Sequence, residues 1–349
     1  MEIFIIIKIF LLTTIAFVLA IIFTPFLTHF LYKYKLGKQI RDSALTPVYF
    51  QLHKKKAGTP TMGGIIIWLT VVVIALLFFY LAKFTQWEFL KSLNFLTRSQ
   101  TLLPLGALIA SALIGLIDDL LGIKKVGSEG GGLKVRHKLL IYTLIAMAGA
   151  YWFYFKLDWD VLHLPFLGNY EVGWWYIPIF IFIIVATAFS VNETDGLDGL
   201  AGGVLLTSFA TLGVIAFILN KYDLATFCGV IIGALLAFLW FNINPARFIM
   251  GDTGSMSLGV TLGIVAMLTN SAPFLPIISA ILVIESLSVI IQLISKKLRQ
   301  GKKVFISAPL HHHLEAIGWS EPKIVMRFWV ISGVSAVVGL IVFLLDKAW

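Results

Sequence analysis

Long apolar runs, each about as long as a bilayer's hydrocarbon core is thick, recur along the chain. Ile65–Leu81 and Ile177–Ala188 carry no charge, and Tyr222–Phe241 carries only Asp223 at its edge. The runs are continuous rather than alternating, and about 20 such residues cross a bilayer as a helix. In lipid, only helices and closed barrels satisfy every backbone group. The predicted fold class is all-α: a polytopic integral membrane protein with about ten transmembrane helices in one domain over residues 1–349. The spans fall at roughly 3–31, 65–83, 101–117, 138–155, 175–191, 200–219, 224–241, 256–270, 274–295 and 326–345. The first apolar stretch, Ile3 to about Leu31, is far longer than the core of a signal peptide and reads as a span. No repeat of fixed period interrupts this layout.

Composition agrees with that pattern. The chain is 59% hydrophobic and 13% charged, about half the charge of an ordinary soluble domain. Charge placement then adds a direction. The loops 32–64, 118–138, 192–199, 242–255 and 296–327 hold 20 of the 27 Lys+Arg. Basic residues mark the cytoplasmic side, so both termini are expected to be extracytoplasmic. The net charge of +9 is then largely a topological signal and an attraction for anionic membrane lipid. Basic residues scattered over juxtamembrane loops speak against a nucleic-acid partner. Trp87, Trp159, Trp174, Trp175, Trp319 and Trp349 lie near span ends, as interfacial aromatics do. The single cysteine, Cys228, excludes an internal disulfide and a cysteine metal site.

The chemistry is suggested by where the acids fall. Asp118, Asp119, Asp195, Asp198 and Asp252 all sit at the ends of spans, or in short loops, on the basic face. Ionisable groups near membrane depth are costly and usually functional. Several carboxylates sharing a phosphate ligand suit Mg²⁺. Asp118 and Asp119 close the third span, where adjacent helical residues diverge by about 100°; they serve one site only if the helix unwinds or their jobs differ. The segment Asn192–Gly199 holds Asp195 and Asp198 at a spacing that shares one face if helical, with glycines that allow close backbone approach. In Asn242–Ser255, Gly-Asp-Thr-Gly-Ser opens a helix whose N–H groups suit an anion, with Asp252 placed to hold a cation beside it. His311, His312 and His313 follow a basic stretch; without a cysteine partner, phosphate or sugar contact is preferred over structural zinc. Lys54–Lys56 precede a Thr- and Gly-containing run that lacks the order of a phosphate-binding P-loop. Glu285 and Gln292 lie two turns apart on one helix face, open either to an interhelical hydrogen bond or to substrate contact.

These runs, in this order, resemble the polyprenyl-phosphate N-acetylhexosamine-1-phosphate transferases from Lys56 to Glu315. AGTPTMGG (57–64) and APLHHHLE (308–315) favour the muramoyl-pentapeptide branch over its GlcNAc-phosphate relatives. The resemblance implies transfer of phospho-MurNAc-pentapeptide from UDP-MurNAc-pentapeptide to undecaprenyl phosphate, with Mg²⁺, giving lipid I and UMP for peptidoglycan synthesis. By the same resemblance Asp118 and Asp119 form the first acidic motif, Asn192, Asp195 and Asp198 the second, and Asn242 and Asp252 the third. His311, His312 and His313 match the triple histidine. Lys56, Thr61 and Gln292 match positions implied in nucleotide-sugar binding, and Lys138 matches a further basic position. Asp118, Asp119 and Asp252 are thereby expected to be catalytic, with Asp252 the main Mg²⁺ ligand and Asp118 beside it. Asp118 or Asp119 would orient or deprotonate the lipid phosphate, although a covalent scheme in which an aspartate attacks first stays open. Two positions depart from the pattern: Glu193 stands for a leucine, and Ile249 for the aromatic that would stack on uracil, with Phe248 one place off. How the uracil is held is therefore left open. So is the oligomeric state, with a homodimer among the arrangements allowed. Two rival readings remain: a UDP-GlcNAc:undecaprenyl-phosphate GlcNAc-1-phosphate transferase, and a transporter. A transporter would place its acids near the midplane of repeated halves, which this sequence lacks.

Overall fold

The apolar runs form helices whose ends the polar motifs define. A computed structural model describes residues 2–37, 56, 58–127 and 131–349. Lys54 and Lys55 lie outside the described residues. The helices are α1 (Glu2–Lys33), α2 (Ile65–Phe84), the short α3 (Glu88–Ser92), α4 (Leu102–Ile123), α5 (Val135–Lys156), α6 (Tyr176–Thr194), α7 (Leu200–Ile218), α8 (Tyr222–Asn242), α9 (Gly251–Leu268), the short α10 (Leu275–Ile278), α11 (Ala280–Leu298), the short α12 (Leu310–Ala316) and α13 (Glu321–Ala348). Nine described helices are long and apolar enough to cross a membrane, and a bent pair brings the number to ten. The protein is a multi-pass membrane protein.

Helix α9 is the hub. It is buried along nearly its whole length and packs against α4, α6 and, less extensively, α7, α2 and α5. Its composition explains why: five small residues in its first two turns let neighbouring backbones approach, as at other membrane helix interfaces. The approach is very close at Gly115 of α4, where a Cβ would lie 2.3 Å from the Asp252 carbonyl oxygen. Any side chain at Gly115 would push α4 off the start of α9. By contrast α1 and α13 bury only a narrow stripe each and leave broad apolar faces outward, as lipid-facing helices do.

Two expectations are corrected. The span at 274–295 is not one straight helix. Residues 272–278 and 280–298 meet at 86°. Pro273 and Pro276 begin new turns, and Ser279 leaves helical geometry at the break (φ −114°, ψ 41°), donating its hydroxyl to Ser208 of α7 at 2.8 Å. The third span does not end at Ile117; α4 runs to Ile123, so Asp118 and Asp119 lie inside a continuous helix. A two-stranded antiparallel hairpin, β1 (Val161–Leu164) and β2 (Gly168–Glu171), sits at the end of the bundle away from the acidic motifs. Trp174, Trp175 and Trp349 are largely exposed. Trp319, at the other end, is flanked by Lys323 and Arg327 within 4.6 Å of its ring centre.

Candidate active site

Because α4 stays helical through its acidic pair, the two carboxylates diverge and take different partners. Asp118 receives the Lys138 Nζ at 2.7 Å and the Leu133 N–H at 2.5 Å. Asp119 turns to the start of α9. Its Oδ1 accepts the Asp252 N–H at 3.1 Å and its Oδ2 the Thr253 N–H at 3.0 Å, while Thr61 donates its hydroxyl to Oδ1 at 3.1 Å. Asp195 accepts the Gly251 N–H at 3.1 Å. The first three N–H groups of α9, which a helix leaves without internal partners, are thus held by two of the protein's own carboxylates. Those N–H groups, which the sequence alone suits to an anionic ligand, are therefore occupied within the protein. Negative charge at this terminus is favoured by the helix dipole, which explains why two acids collect there. Gly251 makes the turn possible: its φ is +75°, and a Cβ would sit 2.6 Å from Asp119 Oδ2.

Lys138 lies one turn into α5 and is the centre of the first cluster. Its ammonium bridges Asp118 and Asp252, 2.7 Å from each. Asn192, near the end of α6, donates its amide to Asp252 Oδ1 at 2.5 Å and to the Ser255 hydroxyl at 3.0 Å. Four helices, α4, α5, α6 and α9, therefore meet at one carboxylate pair. Tyr142, one turn along α5 from Lys138, has a buried hydroxyl without a partner.

A second cluster surrounds Asp198. Residues 195–199 form a turn rather than a helix, so Asp195 and Asp198 do not share a face as their spacing had suggested. Asp198 accepts from Lys56 Nζ at 2.7 Å, from Asn244 Nδ2 at 3.0 Å and from the Ala246 N–H at 3.1 Å. Glu321, at the first residue of α13, also binds Lys56, takes the Asp198 N–H at 2.6 Å and takes Asn244 Nδ2 at 3.2 Å. Burial opposes the charge on Lys56, but Glu321 and Asp198 outweigh it and hold the ammonium above the usual lysine range. The two clusters are joined by the 195–198 turn and by a backbone ladder. Gly63 and Gly64 donate to the carbonyls of Ile249 and Met250 at 2.9 and 2.8 Å, and the Ile249 N–H returns to Pro60 at 2.8 Å.

The remaining predicted residues sit around these clusters in supporting arrangements. Asn242 bridges the Gly199 N–H (2.9 Å) and the Phe248 carbonyl (2.8 Å). Gln292 clamps residues 304 and 305, accepting both N–H groups and donating to the Phe305 carbonyl. His311 Nδ1 lies 2.9 Å from Glu285, His312 Nδ1 lies 2.7 Å from Glu315, and His313 Nδ1 accepts the Ile306 N–H at 3.3 Å. Phe248 is fully buried against Phe238 and Phe241, so it is not free to stack on a base. Sequence reasoning missed Glu321 and Tyr142. An acid in the first turn of a helix looks like an ordinary complement to the helix dipole, and a lone tyrosine in a span looks like packing, so neither carried a signal.

Comparison with known proteins bears on this arrangement. Residues 101–270, which hold Asp118, Asp119, Lys138, Asn192, Asp195, Asp198, Asn242 and Asp252, match the Glycosyl transferase family 4. Residues 56–67 match the phospho-N-acetylmuramoyl-pentapeptide-transferase signature 1; this segment contributes Lys56, Thr61 and the backbone ladder. A phospho-N-acetylmuramoyl-pentapeptide-transferase of Chloroflexus aggregans is 40% identical over 95% of this chain and 88% of its own length. One from a Geobacillus species is 40% identical over 93% of this chain and 95% of its own. One from Clostridium novyi is 37% identical over 94% of each. The chain belongs to the phospho-N-acetylmuramoyl-pentapeptide-transferase family. Within this member of the family, the signature segment and the Gly251-Asp252 segment are one unit in space, although about 190 residues separate them in sequence.

Proposed function

We propose that the chain transfers phospho-MurNAc-pentapeptide from UDP-MurNAc-pentapeptide to undecaprenyl phosphate, forming lipid I and releasing UMP. The observation that carries this reading is the convergence of Asp118 and Asp252 on one cation, at the end of the bundle where the family's signature segment packs. Both substrates are phosphates, so the chemistry must bring like charges together. The basic loops, including Lys134 and Lys138, draw the soluble nucleotide donor to this end. The positive-inside rule supports placing that end in the cytoplasm.

The donor set fits Mg²⁺. Asp118 and Asp252 are hard carboxylates already arranged about a positive charge, the Lys138 ammonium. Mg²⁺ is commonly held by one or two carboxylates together with substrate phosphate. When bound, the ion would neutralise the pyrophosphate and the leaving UMP. The residues themselves do the rest. Asn192 fixes the rotamer of Asp252, and Asp119 fixes the backbone that carries it. Lys138 offsets the charge of the acid pair and stands where the transferred phosphoryl oxygens gather. A monoester phosphate loses its second proton near pH 6, so the lipid phosphate is an anionic nucleophile at neutral pH and needs no strong base. An oxygen of that phosphate bonds to the sugar-bearing phosphorus as the bond from this phosphorus to the UMP oxygen breaks.

The purified chain is expected to release UMP from UDP-MurNAc-pentapeptide only when undecaprenyl phosphate and Mg²⁺ are both present. Equal or greater release from UDP-GlcNAc would assign the chain to the GlcNAc-phosphate relatives instead.

A further inference from the structure

We propose that Lys323 and Arg327 of α13, with Trp319 beside them, bind one anionic phospholipid, its phosphate at the two cations and its acyl chains along the outer face of the helix. The inference is independent of the transferase reading and goes beyond it. The starting observation is a pair of cations where a helix disfavours them. Lys323 lies in the first turn of α13 and Arg327 in the second. Positive charge in a first turn opposes the helix dipole. The two residues are also four apart on one face, a spacing at which like charges repel. The acid of the first turn does not compensate them, because Glu321 is engaged with Lys56, the Asp198 N–H and Asn244. Among the described residues neither cation has a carboxylate at ion-pair distance.

Trp319 holds the two charges together. Lys323 Nζ lies 4.6 Å from the centre of its ring and the Arg327 guanidinium carbon 4.5 Å. Attraction to the ring offsets part of the repulsion and keeps both cations near one point. Both side chains are exposed, so their charge stays open to a ligand. Tryptophan favours the headgroup level of a bilayer, which sets the depth of the pair. The planar guanidinium suits two parallel hydrogen bonds to a phosphate, and the ammonium adds a point charge.

The face that carries the cations continues as an apolar stripe. Val330, Val334 and Ile341 follow Arg327 at steps of three, four and seven residues, which keeps them on one side of the helix. All three are exposed, while the buried residues of α13 form a separate stripe. At 1.5 Å per residue the stripe runs about 21 Å from Arg327 to Ile341, enough to cross one leaflet, about half of a 30 Å hydrocarbon core. A free anion would use the cations and leave the stripe unused; a phospholipid uses both. A zwitterionic headgroup would bring its own cation to a site that already has two, so a net negative lipid fits best. A second copy of the chain fits poorly. A twofold axis along the membrane normal would set the same two cations at the same depth, like charge facing like charge.

The test is native mass spectrometry on the full-length, delipidated protein in detergent. It is titrated with phosphatidylglycerol, with phosphatidylcholine of the same chains, and with glycerophosphoglycerol, the headgroup without chains. Phosphatidylglycerol is expected to be retained at about tenfold lower concentration than phosphatidylcholine, and glycerophosphoglycerol not at all. Each basic residue near anionic lipid strengthens association about fivefold, so Lys323→Gln with Arg327→Gln is expected to weaken phosphatidylglycerol retention about 30-fold. Taking the same charge from two exposed loop lysines at that end, Lys302→Gln with Lys303→Gln, is expected to change it less than about twofold. Equal retention of the two lipids, undiminished affinity in the Lys323 and Arg327 variant, or an equal loss in the loop variant would overturn the proposal. Retention of glycerophosphoglycerol as tight as that of phosphatidylglycerol would overturn it too, assigning the cations to a soluble anion. A lipid-free dimer broken by Val334→Ser would overturn it in favour of a second copy. If the cation variant does not fold, Val330→Ser with Val334→Ser tests the stripe instead: phosphatidylglycerol retention is expected to fall, and unchanged retention would end the proposal.

Discussion

The two ends of the bundle both carry ion pairs, but they balance charge differently. At the end away from the acidic motifs, partners match one to one. Lys8 of α1 meets Asp223 of α8 at 3.3 Å and also donates to the Asn94 carbonyl. His163 of β1 meets Asp346 of α13 at 2.5 Å, and Asp346 also takes the Phe166 N–H, latching the hairpin to the last helix. At the other end, each described lysine of the site is shared. Lys138 serves Asp118 and Asp252, and Lys56 serves Asp198 and Glu321. A matched pair ties elements together. A cation shared between two carboxylates gathers several helices at one point. That contrast distinguishes the two ends more clearly than residue type does.

The largest break in this comparison should come at Asp252. Asp252→Ala is expected to lower UMP release by about 10²–10³-fold, the size seen when one preorganised electrostatic group is lost, while the protein stays folded. Undiminished turnover would remove Asp252 from the site. Lys138→Ala sharpens the point about shared charge. It leaves Asp118 and Asp252 facing one another without their cation, and breaking a buried pair in this way costs about 3–5 kcal/mol. A lower melting temperature is expected, and added Mg²⁺ should raise it more in the variant than in the unsubstituted protein. If Mg²⁺ shifts both equally, the carboxylate pair is not where the ion binds.

At the opposite end His163→Ala should do the reverse. Losing hydrogen bonds to a charged partner is worth about 1–3 kcal/mol, so thermal stability should fall. Turnover of the folded fraction should stay within about twofold, and a specific loss of turnover would erase the distinction between the ends. The smallest effect is a pH dependence at Lys56. Its folded-state affinity for a proton lies above the ordinary value of 10.5. The stability it adds is therefore fully present below that pH and is lost as pH rises through the folded value. The stability gap between the unsubstituted protein and Lys56→Ala should be constant between pH 7 and pH 10 and narrow above it, as followed by thermal unfolding.

Apolar run length by itself determined the fold class and nine of the spans, because lipid leaves a backbone no alternative to the helix. The motif order likewise determined the family, and the runs at 57–64 and 308–315 pointed to its muramoyl-pentapeptide branch. Which end of the bundle gathers the acids was also legible, since hydropathy locates span ends and every motif lies at one. Tertiary structure alone decided what each acid does. Asp118 and Asp119 are neighbours in sequence, but a continuous α4 sends one to Lys138 and the other to the backbone of α9. Asp195 and Asp198 part company because their segment is a turn. The break at Ser279 depends on a hydroxyl contact with α7 that no local pattern reveals. Glu285 and Glu321 gained partners 26 and 265 residues away. Hydrophobic period and motif spacing report on a segment's own geometry. The pairing of charges depends on which helices meet and at what angle, and here that was set by small residues letting α9 sit at the centre.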